Sequence, residues 1–123
     1  MDQVLDEITI NGVKYVKEGC KQEKAENFDD MEYKIVRTYS AGVFAGFIEK
    51  KEGMEVTMRN ARRIWYWDGA ASLSQLAMEG TSKPENCKFP QEVDRVTLTQ
   101  VVEILDVTKK AKKSIDGVKV WKQ

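Results

Sequence analysis

An α+β fold is predicted, mainly an antiparallel sheet or a small, partly closed barrel with one to two short helices. Three features of the chain predict it. Ile8, Ile10, Val13 and Tyr15 alternate with polar neighbours around Asn11 and Gly12, the pattern of a two-residue hairpin. Stretches rich in β-branched and aromatic residues recur after that, separated by short polar or glycine-bearing turns. Only two segments, one after Asp68 and one after Thr108, carry a helical start signal.

The elements follow in order. Residues 1–18 hold the hairpin, 19–32 read as a polar, mostly acidic linker with a helical turn near Lys21 to Ala25, and 33–123 form the main body of a single domain. Tyr33 to Tyr39, Val43 to Glu49, Met54 to Met58 and Ile64 to Trp67 have strand composition and suggest an antiparallel meander. Gly42 and Gly46 lie in or beside these strands, where glycine marks a bulge, a corner or a close approach. Asp68 is a candidate N-cap for a helix through Glu79. Ser72 with Gln75 is a rival start in the form of a capping box, and Gly80 ends the helix either way. Both prolines fall in the loop from Thr81 to Pro90. Arg95 to Leu105 returns to strand character, although Val101 to Leu105 also suits a short helix. Thr108 caps a lysine-rich turn to Ile115, and a last strand is expected from Val118 to Trp121.

Composition narrows the function classes. The chain has no histidine, which removes Ser-His-Asp and Cys-His catalysis and histidine zinc helices. Cys20 and Cys87 stand in no motif, so a reduced protein without a structural disulfide, metal or cofactor is expected. Twenty basic residues balance twenty acidic ones, which argues against a nucleic-acid binder. No apolar run approaches the roughly 20 residues that span a bilayer, and the first residues lack the pattern of a signal peptide.

The stretch NARRIWYWDGAASLSQLAMEG, residues 60–80, is the most unusual in the chain. With a strand to Trp67 and a helix just after Asp68, the amides of Gly69, Ala70 and Ala71 would face an anion at a helix N-terminus, with Ser72 adding a hydroxyl. Strand alternation sets Arg62 beside Ile64 and Tyr66, and Arg63 beside Trp65 and Trp67. The segment Arg37, Thr38, Tyr39, Ser40 repeats the order of arginine, aromatic and hydroxyl before small residues. Arginine forks suit phosphates and aromatic faces suit bases, so Arg37, Tyr39, Ser40, Arg62, Arg63, Trp65, Trp67 and Ser72 are the expected ligand-binding residues for a nucleotide-type small ligand. Packing of the same aromatics in a core or a protein interface is the competing explanation.

VRTYSAG (36–42), the quoted stretch and CKFP (87–90) resemble a family of small proteins of unassigned function that is widespread in tailed-bacteriophage genomes. The likeness covers roughly residues 33–122. It implies a phage protein acting in the cytoplasm of an infected bacterium. Set beside the absence of catalytic motifs, it suggests an anti-defence protein that sequesters cyclic nucleotide signals of the CBASS or Thoeris kind without cleaving them. A homo-oligomer with sites at or near subunit interfaces is expected, because a symmetric ligand suits a two-fold axis. The alternative is a phage structural or host-interaction protein with no small ligand.

Overall fold

A computed structural model describes residues 23–123, together with the backbone of two paired N-terminal strands, β1 (Glu7–Ile10) and β2 (Val13–Val16). The pairing of Ile10 with Val13 is the register the sequence predicts. The connecting Asn11 and Gly12, Cys20 and the start of the expected helical turn at Lys21 lie outside the described residues.

Five further strands make one antiparallel sheet: β3 (Glu32–Thr38), β4 (Val43–Glu52), β5 (Glu55–Arg63), β6 (Val93–Leu98) and β7 (Val101–Asp106). Their spatial order is β6-β5-β4-β3-β7. The meander from β3 to β5 is as predicted, the expected fourth strand at Ile64 to Trp67 is not formed and β6 takes its place, and Val101 to Leu105 is strand rather than helix. Among the described residues two α-helices, α1 (Leu73–Glu79) and α2 (Lys109–Asp116), complete the α+β fold.

β6 and β7 lie at opposite edges of the sheet although only Thr99 and Gln100 connect them. Four strand spacings would separate flat edges by about 19 Å, whereas three Cα steps reach only about 11 Å. The sheet must roll, and register shifts at Arg37/Thr38, Ala45/Phe47 and Ile48/Lys50 supply the bends. The link is pinned on both sides, by Tyr39 N–H to Gln100 O and Val101 N–H to Met54 O, each 2.9 Å. β6 and β7 do not pair, so the roll stays open.

Inside the roll sit Val36, Phe44, Val56, Met58, Ala61, Leu98 and Val101. The outer face carries Tyr33, Ile35, Ala45 and Phe47, covered by Leu76 and Ala77 of α1 and by Ala111 and Ile115 of α2. Both faces of β4 are buried over its first half, where Val43 to Ile48 reads as a nearly continuous apolar run, whereas β3 keeps Glu32, Lys34 and Arg37 among its buried residues.

The bulge in β5 decides which way its arginines face. Ala45 pairs with Arg62 and Phe47 with Arg59, so Asn60 and Ala61 together oppose Gly46. Asn60 takes a left-handed φ of 51°, and a Cβ on Gly46 would lie 2.8 Å from the Ala61 Cα. The extra residue turns Ala61 and Arg63 toward the inside of the roll and Arg62 and Ile64 toward the helices.

The polar segment before β3 is docked rather than a free linker. Ala25 is buried, its amide bonded to Val107 O, and Lys24 bridges to Thr108. Residues 23–25 are not helical. Phe28 and Met31 exchange both backbone hydrogen bonds around Asp29 and Asp30, at φ 51° and 64°. Both central residues are left-handed, the conformation for which Asn-Gly is the favoured pair. Replacing Asp29 and Asp30 by Asn and Gly is expected to raise stability by about 1 kcal/mol, seen as a later midpoint in urea. An unchanged or earlier midpoint would contradict the strain.

Candidate ligand-binding surface

The chain between β5 and β6 decides what the quoted stretch can do. β5 ends at Arg63, four residues before the expected end of the strand at Trp67. Ile64 N–H still reaches Val43 O at 2.7 Å. The chain then leaves the sheet, with Trp65 and Tyr66 amides donating to Lys88 O and Lys88 N–H to Tyr66 O. Two-fold alternation stops there. Trp67 is half-buried, packs against the helix-side core, and donates its indole N–H to Ala70 O at 3.2 Å.

The helix does not start after Asp68. Ser72 is the cap: its hydroxyl accepts from Gln75 N–H, and Gln75 Oε1 accepts from Ala71 N–H at 2.7 Å. The rival capping box prevails, and the expected anion site on Gly69, Ala70 and Ala71 is not formed as a helix N-terminus. Asp68 organises a loop instead. Its carboxylate accepts from Gly69 N–H and Asn86 Nδ2, and its carbonyl accepts from the Thr81 hydroxyl. The Asn86 hydrogen bond, followed by the Gly69 amide, holds the carboxyl below its usual range. Gly69 has φ 83°, and a Cβ there would sit 2.4 Å from Lys83 N. Small residues follow the aromatics because two loops cross at this point.

Arg62 is a structural arginine. It is 7% exposed. Its guanidinium donates to four main-chain carbonyls: Pro90 at 3.1 Å, Ile115 at 3.0 Å, Phe89 at 3.1 Å and Val118 at 2.6 Å. It also lies over the Phe89 ring. Burial pushes its proton affinity down. The planar fork that suits phosphate is occupied in tying the segment before β6 to the end of α2 and the C-terminal segment.

The other expected residues lie apart from it. Arg37 Nε bonds Glu103 Oε1 at 2.7 Å on the surface. Ser40 is exposed in the turn between β3 and β4, beside the 79% exposed Tyr39. Arg63 lies over Phe44 with its Cζ 4.5 Å from the ring centroid. Since Val43 pairs with Arg37 and bonds Ile64, the Tyr39–Gly42 turn and the Arg63–Trp65 segment share one end of the sheet. Tyr39, Ser40, Arg63 and Trp65 are thus brought to that end, while Arg62, Trp67 and Ser72 serve the fold.

A surface that sequence reasoning missed in part begins at Trp65 and Tyr66, 64% and 50% exposed. Tyr66 bridges to Lys88, and one residue further Phe89 bridges to Val120 and accepts from Trp121 N–H. Three chain segments therefore run side by side. The Lys88 ammonium lies 5.9 Å from the Tyr66 ring centroid and 5.5 Å from that of Trp121, a cation between two aromatic faces. The available signal was the alternation in CKFP, where Cys87 and Phe89 are buried and Lys88 must point outward. Cys87 is a free, buried thiol. Among the described residues no helix is long and apolar enough to cross a membrane.

A family model described as Domain of unknown function (DUF6948) matches residues 31–115. That span holds the whole five-stranded sheet and both helices except Asp116, but not Trp121. No curated protein and no solved structure matches the chain.

Proposed function

We propose that this chain, which belongs to the DUF6948 family, is a phage immune-evasion protein that sequesters a cyclic nucleotide signal without cleaving it. The observation that carries this reading is the exposed aromatic surface around Lys88: Trp65, Tyr66 and Trp121 stand open to solvent with an ammonium between two of them. Aromatic faces stack on bases at about 1–3 kcal/mol per base, and the ammonium meets phosphate. Arg63 and Tyr39, at the same end of the sheet as Trp65, extend the surface. Sequestration asks for no acid–base pair, in keeping with a chain that has no histidine. A second copy bringing the same groups across a two-fold axis would enclose a symmetric ligand.

A thermal-shift screen against cyclic di- and trinucleotides and cyclic ADP-ribose isomers tests this. One ligand should raise the midpoint, as expected of a compound that binds the folded state alone. Trp65→Ala and Lys88→Ala should lose the shift while melting like the parent, since both side chains are exposed, and the ligand should be recovered intact. Flat traces across the panel would remove the reading. The exposed apolar Val120 beside Trp121 favours, in that event, a protein partner on the same surface and the role of a phage structural or host-interaction protein.

A further inference from the structure

Away from the aromatic surface, two adjoining cavities of about 430 and 420 Å³ run along α2 and share Phe47, Lys112 and Asp116. Their linings differ in chemistry. The first is reached by Lys109, Lys112 and Lys113, positions that fall on one side of α2. The second is floored by Tyr33, Asn60 and Arg62 and walled by Glu92 and Asp116.

One lysine of the first cavity, Lys109, stands where helix electrostatics disfavours it, in the first turn of α2, which has no acidic residue, whereas Lys113 lies in the last turn. Glu23 and Glu26 reach Lys109 at 3.5 and 3.4 Å, and Asp116 reaches Lys112 at 2.6 Å. Glu26 and Asp116 line the cavity with the three ammoniums, and Glu23 reaches Lys109 from outside the lining, so the charges balance in number. Lys113 has no ion pair among the described residues. A bound anion would pair with Lys113, and the exposed pairs from Lys109 to Glu23 and Glu26 are weak enough to give way.

The second cavity supplies an independent observation. Tyr33 is 6% exposed. Its ring is held edge-on by Phe47 and covered by the Lys112 ammonium at 4.9 Å. Yet its hydroxyl has no hydrogen-bond partner among the described residues, a costly state for a buried polar group. Asn60, held left-handed by the β5 bulge, lies beside it in the same cavity with the Glu92 carboxylate. Arg62 and Lys112 against Glu92 and Asp116 leave this half without net charge. It suits a neutral group that both donates and accepts.

We propose that this two-part cleft is a binding site for a small organic phosphomonoester. The phosphate would lie against Lys113 and its neighbours on α2, and a neutral hydroxyl- or amide-bearing end would reach Tyr33, Asn60 and Glu92. The second cavity reaches Val120, at the margin of the aromatic surface, but its polar groups are different ones, and the proposal does not depend on the sequestration reading.

Calorimetric titration of the full chain with ribose phosphate, adenosine monophosphate and inorganic phosphate tests it. At least one organic phosphate should bind about tenfold more tightly than inorganic phosphate, the worth of one well-made polar contact. Tyr33→Phe, which keeps the ring packing, should erase that difference. Lys113→Gln, on the surface, should weaken every phosphate compound, and Trp65→Ala should change none of them. The proposal is overturned if neither organic compound gives heat, or if inorganic phosphate binds as tightly as both. It is also overturned if Tyr33→Phe binds like the parent, or if Trp65→Ala alone abolishes binding.

Discussion

Arg62→Met is expected to cost about 3–5 kcal/mol, the range seen when a buried charged group with its hydrogen bonds is removed from one side only. Four carbonyls lose a donor, but they do not lose equally. Phe89 O keeps the Trp121 amide and Ile115 O keeps the Val118 amide, whereas Pro90 O and Val118 O have no other backbone donor among the described residues. Two orphaned acceptors at about 1–3 kcal/mol each account for most of the loss. Arg62→Lys should recover little, because one ammonium cannot span four carbonyls that belong to three segments. Urea denaturation of both variants gives the measurement. A loss under about 1 kcal/mol in either would show that water or relaxation replaces the fork.

Phe89→Ala is expected to be of similar size, about 3–5 kcal/mol, from lost burial and the cavity left behind. The ring is fully buried between the sheet and the C-terminal segment, and the Arg62 guanidinium lies 5.4 Å from its centroid. Either change takes a large share of the 5–15 kcal/mol typical of a whole domain. The two should not add. The ring supports the guanidinium and the guanidinium anchors the Phe89 carbonyl, so the double variant should fall short of the sum by about 0.5–3 kcal/mol. Strict additivity would mean that the two residues act independently.

The sheet was largely legible because its signals are local. The hairpin register of β1 and β2, the strands from Tyr33 onward and the Thr108 cap all follow from alternation and turn chemistry within a few residues. The failures share one cause: partners distant in sequence. Ile64 to Trp67 has strand composition, but among the described residues its ladder partner after Arg63 is the segment at Lys88, which offers a single bridge. Val118 to Trp121 likewise finds only Phe89. In sequence Arg62 reads as a ligand contact because its type suits phosphate. The bulge at Asn60 that turns it inward, and the carbonyls waiting there, carry no mark in the neighbouring residues. Ser72 against Asp68 as the cap was open from sequence, and the Gln75 side chain closing on Ala71 N–H settles it.

The two-residue link between strands at opposite edges bears on how the chain reaches this structure. β3 is joined to β7 by contacts such as Arg37 with Glu103, 66 positions apart. β7 is the strand that pairs with β3 on the side away from β4. A ribosome must release the chain past Asp106 before the first strand of the main sheet loses its open edge. Until then β3, with Ile35 and Val36 apolar on both faces, is a template for pairing with another nascent copy. Contacts of such span are formed late and slowly, on a scale of about milliseconds to seconds. Expression at low temperature or low density should therefore favour soluble product, with β3 as the segment that decides between folding and aggregation.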